Sequence, residues 1–372
     1  MHLKRLNLIN FKNYSELDIE LCQGINCFVG HNGVGKTNLF DSIYYLSFCK
    51  SYFNPSDSQN IQHEEEFFVI QGEFSKDSET EKIYCGLKRN NKKQFKRNNK
   101  EYVKLADHIG FIPLVMVSPA DSALILEGSD ERRKYINGVI SQFNREYLDS
   151  LIRYNRTLIQ RNKLLKDFAR NRRYDEESLD VWDQQLAGLN LKIHQTRSLF
   201  IGELSPIFQY YYDYIAQGNE VVELAYQTQG DNGDWYEQIR ASREKDRILQ
   251  YSTVGIHKDD LKLTLKGFPI KRQGSQGQQK TFLLALKLAQ YDFLKQISKI
   301  NPLILLDDVF DKLDSDRVTQ IIKLLSKEHF GQTFITDTNE EHLSAILSQI
   351  PAKHRVFRVG HSGIERIENG NS

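Results

Sequence analysis

The chain has 372 residues, 40% of them hydrophobic, with 50 lysines and arginines against 49 aspartates and glutamates for a formal net charge of +1. That length supplies a sizeable core, most simply in two lobes, and excludes a small module stapled by disulfides or metal. The near-neutral balance excludes a general polycation, so affinity for nucleic acid has to come from local patches.

In chain order, residues 3–14 alternate as a strand from the start, which leaves no room for a signal peptide. Ile25-Asn26-Cys27-Phe28-Val29 reads as a buried strand, and residues 38–50 carry Leu39, Ile43, Tyr44 and Leu46 near helical spacing. Between them lies Gly30-His31-Asn32-Gly33-Val34-Gly35-Lys36-Thr37, the full Walker A pattern in the strand-loop-helix context it requires. Glycines let backbone N–H groups approach phosphates, and the following helix adds positive potential at its N-terminus. Lys36 is expected to reach the β- and γ-phosphates and Thr37 to ligate Mg²⁺, with Asn38 completing the cradle.

Two basic patches follow. Residues 88–100 (KRNNKKQFKRNNK) carry seven basic residues and no acid around Phe95, and residues 82–87 and 101–105 flank them as a β-hairpin. Lys92, Lys93, Lys96 and Arg97 are its candidate DNA contacts. Residues 153–173 carry eight basic residues and one acid, Asp167, on a stretch whose Leu151, Ile152, Leu158, Ile159 and Leu165 keep helical spacing. Arg153, Arg156, Arg161 and Lys163 are the candidates there. Contacts of this kind act on phosphates, so binding is expected to be independent of sequence and sensitive to salt. Strong helical runs span 131–143, 145–168 and 179–213, and a loop falls at 230–234. The lobe has no long heptad tract.

The remaining machinery lies far downstream. Gly274-Ser275-Gln276-Gly277-Gln278-Gln279 opens an amphipathic helix over 280–297, a second phosphate grip at a helix N-terminus. The apolar run from Pro302 to Leu306 ends in Asp307-Asp308, a Walker B pattern at the carboxyl edge of a parallel sheet. Asp307 is expected to hold Mg²⁺ through water, and Asp308 to polarise the attacking water. Lys36 and Asp308 are therefore the candidate catalytic residues. A strand over 333–336 and a hairpin over 355–367 close the chain. Cys22, Cys27, Cys49 and Cys85 show no metal spacing and read as reduced, mostly buried thiols of a cytosolic protein.

Ser275-Gln276-Gly277-Gln278-Gln279 before a Walker B resembles the signature motif of ABC-type ATPases, and Asp311-Lys312-Leu313-Asp314 resembles their D-loop. The opening Asn10-Phe11-Lys12-Asn13-Tyr14 is similar to the start of the RecF family, relatives of SMC and Rad50 heads. Ser118-Pro119-Ala120-Asp121, Gly128 through Arg133, Gly255-Ile256-His257-Lys258-Asp259-Asp260-Leu261 and Leu305 through Phe310 resemble further segments of that family. The resemblance covers the whole chain. It implies an α/β, ABC-type P-loop ATPase head of Rad50/SMC type with an inserted, mainly helical lobe. The head would comprise residues 1–125 and 250–372, and the lobe residues 126–249.

It also implies ATP with Mg²⁺, and a homodimer in which the signature residues Ser275, Gln276, Gly277 and Gln278 of one copy cap the nucleotide on another. Lys12 would touch the nucleotide, and Asp314 would signal across the dimer. The implied function is DNA repair, replication and recombination, including the SOS response to damage. The dimer would clamp duplex DNA at single-strand/double-strand junctions and, with RecR and with RecO and RecA in the pathway, promote RecA loading at gaps. The implied location is cytoplasmic, nucleoid-associated and away from membranes. Departures exist: Lys12 and Lys258 stand for Arg, Ala120 for Glu, Ile256 for Pro. Thr336-Asp337-Thr338 replaces the switch histidine of transporter ATPases, and Asp308 is shorter than the usual Glu. Together they imply slow hydrolysis used as a timer. The alternative is a related ABC-type ATPase coupled to a separate effector, such as a nuclease partner.

Overall fold

Strand Ile25–Val29 is buried at every position, as a continuous apolar run demands of a strand covered on both faces. In the structure, a computed structural model describing residues 1–218, 220–310, 315–326, 329–347, 353–360 and 363–370, this strand is an inner member of a six-stranded sheet. Thr333–Asp337 and His354–Gly360 pair with it in parallel, one on each side. Beyond Thr333–Asp337 come Leu303–Leu306 and Leu114–Val117, also parallel. Gly363–Gly370 adds an antiparallel edge.

The chain divides into two compact units, residues 1–121 with 283–372, and residues 122–282. The first unit holds that sheet and a second, antiparallel one. The latter runs Tyr14–Glu20, His2–Phe11, Phe67–Lys76, Glu79–Lys88, Gln94–Arg97 and Lys100–Glu101 from edge to edge. Helix Lys36–Phe48 buries Leu39, Phe40, Ile43 and Leu46. These join Phe11 and Phe68 of the antiparallel sheet and Phe28 and Phe334 of the parallel one in a single core. The Phe40 ring meets those of Phe28 and Phe334 edge-on at 6.0 and 6.3 Å.

The second unit contains helices Ser129–Ser141, Arg145–Asn171 and Glu176–Ala216, then Trp235–Ala241 and Arg243–Leu249. Its small sheet corrects the boundary expected at residue 250. Val222–Gln227, inside the span read as helical, pairs antiparallel with Asp260–Leu265. The ladder draws residues 250–282, with the signature segment, into the helical unit. Two segments quoted above for their family resemblance also meet here. Arg132 forms a bidentate pair with Asp260 at 2.6 and 3.0 Å, and Arg133 donates to the Asp259 carbonyl at 2.5 Å.

Candidate functional site

Residues 30–35 connect strand Ile25–Val29 to helix Lys36–Phe48, and their path is set by close packing. A Cβ on Gly30 would come within 2.4 Å of the Val359 carbonyl oxygen. Gly35 has φ of +113°, and a Cβ there would meet the Asn13 amide at 2.3 Å. Asn13 Nδ2 donates to the Val34 carbonyl at 3.0 Å, and the Tyr14 hydroxyl donates to the Gly35 carbonyl at 3.1 Å. Asn38 Nδ2 in turn donates to Asn13 Oδ1 at 2.7 Å. Two consecutive loop carbonyls are thus tied back to the N-terminal hairpin, away from the cleft. Sequence reasoning missed this role of Asn13 and Tyr14, although the segment containing them was the signal.

The cleft, of about 220 Å³, is lined by Asn32, Gly33, Gly35, Lys36, Thr37, Asn38 and Asp308. Lys36 is buried, and its ammonium donates to the carbonyls of Gly30 at 2.7 Å and His31 at 3.1 Å. Thr37 Oγ1 donates to Asp307 Oδ2 at 2.8 Å, and Thr336 Oγ1 donates to Asp307 Oδ1 at 2.9 Å. The same Thr336 oxygen accepts the Asp308 N–H at 2.8 Å. Burial pushes the Asp307 carboxyl above its ordinary range, and the two threonine hydroxyls oppose that rise. Asp308 has φ of 46°, a left-handed conformation uncommon for a residue with a side chain, at the end of Leu303–Leu306.

Lys12 does not line this cleft. Its ammonium lies 2.6 Å from Asp41 Oδ2, beneath helix Lys36–Phe48, and Asp41 is fully buried. Ser51 Oγ and the Tyr52 N–H complete the Asp41 carboxylate at 2.6 Å each.

Ser275 and Gln278 form a capping box at the start of helix Gln276–Ser298. Gln278 N–H donates to Ser275 Oγ at 3.2 Å, and Ser275 N–H donates to Gln278 Oε1 at 2.9 Å. Ser275 is exposed and acts here as an acceptor, so its hydroxyl hydrogen is left for another group. Gln276 and Gly277 supply first-turn N–H groups beside it. Asp314, with the rest of 311–314, lies outside the described residues.

The basic patches are corrected in four places. In the first, Glu79–Lys88 pairs with Gln94–Arg97, which turns through Asn98 and Asn99 into Lys100–Glu101. The expected single hairpin is therefore two. Lys93 points inward, donating to Asp57 at 2.7 Å, the Cys49 carbonyl at 2.5 Å and the Tyr45 hydroxyl at 3.0 Å. Arg97 forks onto Glu81 at 2.9 and 2.6 Å and stacks 3.8 Å above the Phe111 ring. Neither has a free charge for a phosphate, because Asp57 from a 3-10 turn and Glu81 from the adjacent strand neutralise a run that is purely basic along the chain. Lys92 remains exposed, and Lys96 is half-buried over the Tyr84 ring.

In the second patch Arg161 is fully buried, donating to Asp183 at 2.6 Å, Asp246 at 2.7 Å and Ser252 at 2.8 Å. It shares the inner stripe of Arg145–Asn171 with Tyr154, Thr157, Leu165 and Phe168. That spacing was the available signal. Arg153, Arg156 and Lys163 lie off that stripe and are exposed. His257 is likewise structural: it accepts from the Tyr154 hydroxyl at 2.6 Å and donates to the Ser252 carbonyl at 3.0 Å. Cys27, Cys49 and Cys85 are buried and Cys22 half-buried, all as free thiols.

The family described as RecF/RecN/SMC N terminal domain matches residues 2–356. The chain is 54% identical over 369 residues to the DNA replication and repair protein RecF of Bacteroides fragilis (strain YCH46), covering 99% of each. It is 56% identical over 361 residues to the protein of that name from Phocaeicola vulgatus, covering 96% of each. Among solved structures it is similar to the recombination mediator protein RecF with ATP, of the RecFOR pathway. The TM-score is 0.89 at 29% identity, over 99% of this chain and 98% of that one. The Smc head domain of Pyrococcus furiosus matches with a TM-score of 0.58 at 16% identity, over 98% of this chain and 96% of that one, a likeness of fold alone. The fold is accordingly that of an ABC-type ATPase head. No helix among the described residues is long and apolar enough to cross a membrane.

Proposed function

Because the chain belongs to the RecF family of DNA replication and repair proteins, we propose that ATP binding closes two copies of it on duplex DNA and that slow hydrolysis reopens them. The clamp would act at single-strand/double-strand junctions in the cytoplasm and, with RecR, promote RecA loading at gaps, with RecO in the same pathway. The observation that carries this reading is the wiring of Thr37, Asp307, Thr336 and Asp308 around a cleft already floored by Lys36.

The donor set fits Mg²⁺ with a triphosphate. Thr37 and Asp307 place two hard oxygen ligands side by side, the kind Mg²⁺ selects. Bound there, the ion would draw charge from the β- and γ-phosphate oxygens. Lys36 would exchange its two carbonyl acceptors for phosphate oxygens, and the loop N–H groups, aimed by Asn13 and Tyr14, would hold the rest. Asp308, at the rim of the cleft, would accept a proton from the attacking water. A second copy would bring the Ser275 hydroxyl and the N–H groups of Gln276 and Gly277 to the nucleotide. On DNA, Lys92, Lys96, Arg153, Arg156 and Lys163 would contact phosphates.

Light scattering of the purified chain, with and without a non-hydrolysable ATP analogue and a gapped duplex, tests this reading beside Ser275→Arg. The expected result is a monomer that pairs only with nucleotide and then binds the duplex, while Ser275→Arg stays monomeric. Pairing indifferent to nucleotide would overturn it.

A further inference from the structure

On the antiparallel sheet, the alternation of Phe67–Lys76 places Phe68 and Ile70 in the core and turns Phe67 and Val69 the other way. Phe67 is 40% exposed. Its neighbours on that outer face follow from the register. Phe67 lies opposite Lys88, Val69 opposite Gly86, and Gln71 opposite Tyr84. On the next strand Gln94 lies opposite Gly86, and Lys96 opposite Tyr84. A Cβ at Gly86 would sit 2.5 Å from the Tyr84 hydroxyl, so the missing side chain lets the tyrosine ring lie along the sheet. A groove of about 460 Å³ results, with Phe67 and Tyr84 in its walls.

The polar lining is basic or neutral: Lys88, Lys92, Asn91 and Gln94, without a carboxylate. Lys88 is shared with Glu66 at 3.1 Å. Lys92 is exposed, and the Lys96 ammonium stands 5.4 Å from the Tyr84 ring centroid. Two aromatic faces spaced across a sheet, with cations along one side, match the chemistry of an unpaired nucleic-acid strand. Every base has a face to stack, and its phosphates run past the stack. A duplex does not offer that, since its bases are stacked on one another.

We propose that this groove binds unpaired DNA by stacking its bases on Phe67 and Tyr84, with Lys92 and Lys96 on the adjoining phosphates. The inference rests on the DNA-binding reading above and deepens it. The clamp holds duplex phosphates, and the groove takes the single strand where the duplex ends.

The test is fluorescence anisotropy of the full-length chain with a labelled oligothymidine of roughly 15 nucleotides and, separately, a blunt duplex. Phe67→Ala should weaken the oligothymidine roughly tenfold or more, the worth of one base–aromatic stack, and Phe67→Trp should restore it. Tyr84→Leu, which keeps apolar bulk without the ring, should show the same loss. Duplex affinity and nucleotide-driven pairing of Phe67→Ala should match the wild type. A wild-type chain that ignores oligothymidine overturns the proposal. So does a Phe67→Ala chain that binds it normally, or one that loses duplex in equal proportion. Should the chain fail to pair with nucleotide while its single-strand affinity still follows Phe67, the clamp falls and the groove stands.

Discussion

Thr37 and Asp307 are 270 positions apart in the chain, yet the threonine hydroxyl donates to the aspartate at 2.8 Å. The contact joins the start of the helix after the phosphate loop to the end of strand Leu303–Leu306. Thr336, from the strand between them, donates to the other oxygen of the same carboxylate. A buried acid satisfied on both oxygens is held in one orientation, here by the two threonine hydroxyls.

Removing the phosphate grip should be felt in binding before chemistry. Lys36→Met deletes the ammonium that rests on Gly30 and His31. Hydrogen bonds to a charged group are worth about 1.5–3 kcal/mol, so nucleotide affinity should fall by at least roughly tenfold by titration calorimetry. Nucleotide-driven pairing should be lost with it.

Asp308→Asn separates closure from turnover. The amide cannot accept the proton, and general-base catalysis contributes about 10²–10⁴-fold. Single-turnover hydrolysis should slow by that range while the closed pair accumulates. Hydrolysis at the wild-type rate would show that Asp308 is not the base.

Thr336→Val tests whether one hydroxyl positions both carboxylates. It orphans the Asp308 N–H and one Asp307 oxygen in nearly the same volume, a cost of about 1–3 kcal/mol. Turnover should drop, nucleotide affinity should hold, and Thr336→Ser should recover most of the rate.

The second basic patch should split by exposure. Arg161→Ala removes the buried guanidinium shared by Asp183 and Asp246, leaving Asp183 with Arg243 and Asp246 with neutral donors from Ser242 and Thr253. Breaking such a buried pair costs about 3–5 kcal/mol. Thermal denaturation should register that loss. Charge reversal at Arg153, Arg156 and Lys163 should leave the melting temperature in place and weaken DNA binding, with a shallower salt dependence.

Acid should destabilise the first unit through His108. Burial holds this imidazole neutral, its pKa pushed down from 6.5 to about 4, between the Leu46 carbonyl and the Tyr102 hydroxyl. The unfolded chain takes up that proton first as pH falls. The stabilisation is therefore complete above about pH 6.5, shrinks as pH drops and is exhausted near pH 4, a loss of up to ~3 kcal/mol. Urea unfolding at about pH 7 and about pH 5 should show it, and His108→Asn should flatten the difference.

Legibility followed the distance over which each feature is encoded. The Walker A loop is contiguous, so glycines, lysine and threonine declared it without a fold, and its strand and helix had the right periods on either side. The long helices were readable from their apolar spacing, with ends extended by a few residues at Glu176–Ala216 and Arg145–Asn171. Val222–Gln227 was not, because a short strand shows its partner only once Asp260–Leu265 lies beside it.

Residue types and their order along the chain determined the family and the motifs read as a nucleotide grip, Walker B acids and a signature turn. Each is a local pattern whose chemistry needs neighbours in sequence. Tertiary structure decided which charges are free. Lys92 and Lys93 are adjacent in the chain, but one faces solvent and the other is spent on Asp57. Arg161 is as basic as Arg156, but it falls on the buried stripe beside Asp183 and Asp246. A charge acts at long range only when no opposite charge cancels it within a few ångströms. Those cancelling partners come from strands and helices that the chain places side by side only on folding.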